Sequence, residues 1–158
     1  MNEKTCLIDT DDKECCLKFH PEKWDWKTFI WENKSFIKET IPTFFHIPFP
    51  PMIGKKIWKM DKLAREANMI SSDKEEVLVL FRDSSAFKSE IYLSVIWLVS
   101  NANNVTISWN FIAKVYDWWY NSVPKFIKQL DEYLLSIDKK AKDYYVHYAY
   151  CPKCSVKY

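Results

Sequence analysis

The hydrophobic pattern changes period several times along the chain. β-Branched and aromatic residues over 29–31 and 36–47 predict strands, with Pro42 at an edge or bulge because it has no amide to give to a ladder. A stiff His-Ile-Pro-Phe-Pro-Pro connection (46–51) follows. Ile53, Ile57, Met60, Ala64 and Ala67 then recur at spacings of four, three, four and three, which predicts an amphipathic helix over 52–68. Two more strands, 77–81 and 90–99, flank a polar turn around Asp83–Ser85.

Ser-Asn-Ala-Asn-Asn (100–104) is the clearest break, and beyond it the order repeats. Residues 105–116 predict a long strand. Val123, Phe126, Ile127, Leu130, Tyr133, Leu134 and Ile137 form a helical stripe, and 144–150 predict another strand. The expected fold is therefore α+β: two tandem strand–helix–strand–strand units with antiparallel sheet and two helices packed on one side, the last strand missing or truncated. Residues 1–27 form an irregular arm anchored by Trp24 and Trp26. Residues 28–158 form one domain, its units at about 28–100 and 104–158. An unpaired edge in such a sheet invites a second copy as a homodimer partner.

Composition narrows the function. A single glycine among 158 residues excludes the dinucleotide fingerprint and the Walker A loop, both of which need several positions without Cβ. With 23 cations against 21 acids, interleaved, there is no concentrated basic face for nucleic acid. The longest near-apolar run, 91–99, is too short to span a bilayer, and no membrane partner is expected. Acidic residues in the first fifteen positions are the wrong chemistry for an export signal, so the cytoplasm is the expected compartment, with the five cysteines reduced.

Three constellations are candidates for chemistry. Cys151-Pro-Lys-Cys154 is half a zinc site, which Cys15, Cys16 or His20 could complete if the arm folds back, making Zn²⁺ a candidate cofactor. A redox pair and inert thiols are the competing readings. Glu90 opens a strand on which period two sets Glu90, Tyr92 and Ser94 against Ile91, Leu93 and Val95. Burial beside aromatic rings would raise the pKa of Glu90, making it a proton acceptor or the counter-charge of a cationic ligand; a solvated strand-edge acid is the plain alternative. Tyr-Asp-Trp-Trp-Tyr (116–120) lies before the second helix, with Asp117 or Asn121 as its N-cap. Two consecutive tryptophans cannot both enter one core, so one is expected on a groove wall or interface, unless the arm covers it. His46 and His147 read as structural histidines, and Lys139, Lys140 and Lys142 as the cationic last turn of the helix.

The stretches 14–27 (ECCLKFHPEKWDWK), 31–38 (WENKSFIK), 44–48 (FFHIP) and 150–154 (YCPKC) closely resemble a family of prokaryotic proteins whose members commonly carry the label "hydrolase". The segment 105–120, with the helix after it, resembles the GyrI-like superfamily of small-molecule-binding domains. That resemblance implies a ligand groove between two units, with an acidic residue at the matching position Glu90 reaching into it. It also implies Asp117 and Tyr120 near the second helix, where Trp118 and Trp119 replace the superfamily's Gly-Pro and could fill part of the groove. The expectation is a stand-alone cytoplasmic domain binding a lipophilic aromatic or cationic small molecule through Glu90, Tyr92, Trp109, Tyr116, Trp118 and Tyr120. The alternatives are a hydrolase with Glu90 as catalytic general base, lacking any recognised triad, and a zinc or thiol-redox protein using Cys15, Cys16, Cys151 and Cys154.

Overall fold

A computed structural model describes residues 16–117, 122–150 and 154. In chain order its elements are β1 (Thr28–Ile30), β2 (Lys34–Phe44), β3 (Ile47–Pro48), α1 (Pro50–Glu66), β4 (Val79–Ser85), β5 (Lys88–Ser94), β6 (Asn104–Ile107), β7 (Asn110–Ile112), α2 (Val123–Ser136) and β8 (Val146–His147), with short 3₁₀ turns at Pro21–Lys23 and Lys74–Glu76. The class is α+β with antiparallel strands, as the periodicity predicts.

The described residues divide into two units. The first comprises 16–19, 32–108, 145–150 and 154. Its sheet runs β3-β2-β5-β4-β8, and β6 pairs with β2 as well. Phe36 faces Ser94 on one side and Val105 on the other, so β5 and β6 lie on opposite edges of β2. The central strand β5 is buried on both faces over Glu90–Ser94. On one face Ile37, Ile41, Val79, Ile91 and Leu93 pack against Met60 and Ala64 of α1, which places the predicted helical stripe in the core.

Both helices begin and end by the same devices. Pro50 opens α1 and Pro124 lies in the first turn of α2, where a residue without an amide leaves one orphan donor fewer, and neither helix has a side-chain cap. Their C-termini close in Schellman motifs. The Met69 and Asn68 amides donate to the Ala64 and Arg65 carbonyls, and those of Lys139 and Asp138 to Leu134 and Leu135. Asn68 and Asp138 take the left-handed position that glycine usually fills. The two-residue hairpin loop between β2 and β3 is the positive-φ pair Phe45-His46, where Asn-Gly is the favoured sequence.

The second unit comprises His20–Trp31 and Trp109–Tyr144. Strands β1 and β7 pair, with the Trp31 and Phe111 rings 4.5 Å apart. Trp26 lies 4.2 Å from the Tyr133 ring and beneath Lys114, so one of the two predicted anchors packs onto α2. Asp25 accepts from the Lys114 ammonium and the Val115 amide, which hold its carboxyl below the usual range.

Several predicted boundaries need correction. The long strand over 105–116 is two short ones, β6 and β7, because the chain passes from one unit to the other between Ser108 and Trp109. The residue before α2 is Ser122, not Asp117; Asn121 lies outside the described residues. Lys139, Lys140 and Lys142 follow α2 rather than forming its last turn, and Lys142 lies 4.0 Å from the Trp109 ring centre.

Candidate functional site

The second face of β5 carries the site. Strand pairing puts Arg82 of β4 and Thr40 of β2 beside Glu90, and Leu80 and Lys38 beside Tyr92, so period two gathers charged groups from three strands onto one surface. Glu90 is only 4 % exposed. Its Oε2 accepts from the Tyr92 hydroxyl at 2.6 Å and from Arg82 Nη1 at 2.9 Å, and its Oε1 accepts from Lys38 Nζ at 3.3 Å. Lys88 Nζ, two residues away on the same face, is 3.6 Å from Oε1. Three cations therefore surround one carboxylate, and about a quarter to a third of the Lys38 and Arg82 side chains reaches solvent.

This reverses the expected electrostatics of Glu90. Burial does push its carboxyl upward, but the hydrogen bonds from Tyr92 and Arg82 and the charge of Lys38 outweigh it and bring the pKa down to about 2. A carboxylate that weakly basic is a poor proton acceptor near neutrality. Its counter-charges are already supplied by the protein, so it is no anchor for a cationic ligand. Tyr92 shifts the other way: burial, then the hydrogen bond to Glu90, raises its pKa and keeps the phenol protonated as a donor. The Tyr145 ring meets Tyr92 edge-on at 5.6 Å, and Phe36 does so at 6.3 Å, which gives the polar cluster aromatic walls within the unit.

Further along the same face, Ser94 accepts from the Leu78 amide at 2.8 Å, and a cavity of about 290 Å³ opens beside it. Lys34, Ser35, Ser71, Glu76 and Trp97 line that cavity, which approaches the size of small-molecule sites.

Of the other predicted site residues, Trp109 and Tyr116 belong to the second unit. Trp109 is about half exposed beneath Lys142, and Tyr116 stacks on Phe126 at 4.0 Å while donating to the Phe126 carbonyl. Trp118, Trp119 and Tyr120 lie outside the described residues, as do Cys15 and Cys151. Cys16 is half-buried and Cys154 buried; among the described residues no group of three or more His, Cys, Asp or Glu side chains is placed to hold a metal ion. His147 is half-buried with Nδ1 bonded to the Val79 carbonyl, and desolvation lowers its pKa; His46 pairs with Asp83 at 2.6 Å on the surface.

Lys38 and Arg82 are the residues that sequence reasoning missed. Arg82 had a signal, being one of two arginines in the chain. Centring the turn at Asp83–Ser85 moved it to the end of its strand. The true reversal is at Ala86-Phe87, after a bulge between Asp83 and Ser85, which carries Arg82 back to face Glu90.

Fold and site together define an α+β protein whose innermost strand presents a buried carboxylate, held ionised by cations from both neighbours and by its own Tyr92. The chain belongs to the family described as "Bacterial hydrolase", whose model matches residues 7–158. No curated protein and no solved structure matches it. Among the described residues no helix is long and apolar enough to cross a membrane.

Proposed function

We propose that the protein is a small-molecule-binding domain of the GyrI-like kind, taking an aromatic compound with an anionic or strongly hydrogen-bond-accepting group on the Glu90 face. The observation that supports this is the convergence of Lys38, Arg82 and Lys88 on Glu90, which sets three charge-assisted donors on one face where the anionic group of a ligand would be held. Tyr145, half-buried and edge-on to Tyr92, supplies ring surface beside it. This revises the cationic ligand expected from sequence.

A matched pair of dyes tests the reading. 8-Anilinonaphthalene-1-sulfonate and neutral N-phenyl-1-naphthylamine share a ring system and differ in the sulfonate. The anionic dye should bind more tightly, and Arg82→Gln should weaken it at least fivefold, on the order of one charge-assisted hydrogen bond, while leaving the neutral dye unchanged. Equal binding of the two dyes by the wild type, or no effect of Arg82→Gln, overturns the reading.

The family match favours a second reading, in which the bound molecule is hydrolysed. On this face Arg82 and Lys38 would polarise the substrate and Glu90 would position them. Arg82→Gln should then lower kcat on activated esters such as p-nitrophenyl butyrate at least tenfold, by removing the cationic donor. Turnover unaffected by Arg82→Gln excludes this face as the catalytic one.

A further inference from the structure

Within the first unit, one end of the sheet is apolar and exposed. The β2–β3 and β4–β5 hairpins lie side by side, joined where the Thr43 and His46 amides donate to the Phe87 and Ala86 carbonyls at 3.0 and 2.8 Å. At their tips Phe45 packs 4.7 Å from Phe44 and 5.7 Å from Phe87. Phe44, Phe45, Ile47, Phe49 and Phe87 are each more than half exposed. Contiguous apolar surface of this kind marks an interaction site.

The helix that starts at this tip is basic on its outer side. Phe49 is the N-cap of α1, so the stripe Lys55, Trp58, Lys59 and Lys62 begins within about 10 Å of axial rise from it. These four, spaced i, i+3, i+4 and i+7, share one face and are all exposed. Lys62 lies 5.4 Å from the Trp58 ring centre. Counting Lys56, Arg65 and the acids paired with this side of the helix (Glu39 with Lys56 and Lys59, Glu66 with Lys62, Asp61 with Arg65), it carries five cations against three acids and stays net positive. Exposed phenyl rings at a tip, beside a lysine-flanked tryptophan, are the composition of an element lying in a lipid headgroup region.

We infer that the paired hairpin tips and the outer face of α1 dock the protein on an anionic lipid surface. The phenyl rings enter the headgroup–acyl boundary while the lysines meet lipid phosphates. Charge selects this occupant over a second copy: a two-fold contact through the same patch would bring the two lysine stripes together. Among the described residues no helix is long and apolar enough to cross the bilayer, so the contact proposed is peripheral.

The test is co-sedimentation of the full chain with phosphatidylcholine vesicles containing 30% phosphatidylglycerol, beside pure phosphatidylcholine vesicles, at low and high salt. Binding should require the anionic lipid and weaken with salt. Lys55→Gln with Lys62→Gln should weaken partitioning about thirtyfold, since each lysine near an anionic leaflet contributes roughly a factor of five. Phe45→Ser with Phe87→Ser should weaken it at least tenfold. Both pairs are exposed, so each variant should keep the wild-type melting temperature. No binding to anionic vesicles overturns the inference, as does binding indifferent to phosphatidylglycerol. A wild-type dimer that the Phe45→Ser, Phe87→Ser variant turns into monomer, with no vesicle binding by either, overturns it in favour of self-association.

Discussion

Replacing Glu90 with Gln removes the charge at the centre of the polar face while nearly preserving its shape, and the structure sets the size of the effect. The carboxyl falls from its ordinary value of 4.5 to about 2 on folding, against the upward push of burial, because Tyr92, Arg82 and Lys38 favour the ionised form. A shift of that size contributes about 3 kcal/mol to stability at pH 7, each pKa unit being about 1.4 kcal/mol. The direction follows from the depressed folded-state value. The contribution is complete above the unfolded pKa and is lost as pH falls from about 4.5 towards about 2. At pH 3.5 somewhat under half of it should already be gone. Urea unfolding of wild type and Glu90→Gln at pH 7 and pH 3.5 isolates this group, since the other carboxylates are common to both proteins. The variant should be about 3 kcal/mol less stable at pH 7, in keeping with the cost of breaking a buried ion pair from one side. The gap should narrow by somewhat under half at pH 3.5. A gap below about 1 kcal/mol at neutral pH, or one of equal size at both pH values, would refute the argument that the cations and Tyr92 hold the carboxylate ionised.

Two further outcomes concern the frame around the site. Ser94→Ala removes the acceptor of the buried Leu78 amide and should lower the urea-derived stability by about 2 kcal/mol; a loss under about 0.5 kcal/mol would mean that this hydrogen bond contributes little. Phe45→Asn replaces an exposed ring at positive φ with a side chain that tolerates the left-handed region. It should raise stability by about 1 kcal/mol while weakening binding to anionic vesicles, and a lower melting temperature would contradict the turn-strain argument.

Much of the frame was legible because burial imposes a period on the sequence. The stripe of α1 and the alternation over Glu90–Ser94 follow from which side chains must avoid water, but the strand expected over 90–99 ends at Ser94, with Ile96, Trp97 and Leu98 exposed beyond it. Turn positions were harder to read. With one glycine in the chain, left-handed residues fell to Asn33, Asn68, Asn101 and Asp138, and even to Phe45 and His46, so the usual punctuation was absent. The site was half legible for the same reason. Glu90 and Tyr92 share a strand, and their common face follows from period two. Lys38 and Arg82 reach that face only through pairing register, which depends on a bulge that no local pattern announces.

Register also decides which chemistry the face can support. The reading of Glu90 as a general base assumed that aromatic surroundings alone would govern its pKa, because its strand supplies only an acid and a phenol. Once β2 and β4 are in place, the acid is the least basic group there and the phenol is fixed as a donor. Every group around the carboxylate then offers hydrogen: Tyr92 its O–H, Arg82 and Lys38 their N–H. A cluster of cationic donors stabilises negative charge, whether a ligand brings it or a reaction develops it. Under either proposed reading, binding of an anionic aromatic or electrophilic hydrolysis, Lys38 and Arg82 would do the same work, and the two readings differ in whether the bound molecule has a bond that breaks when its oxygen is polarised. A base, where turnover requires one, has to come from elsewhere than Glu90, so a pH–rate profile rising through the ordinary carboxylate range would implicate a different acid of this chain.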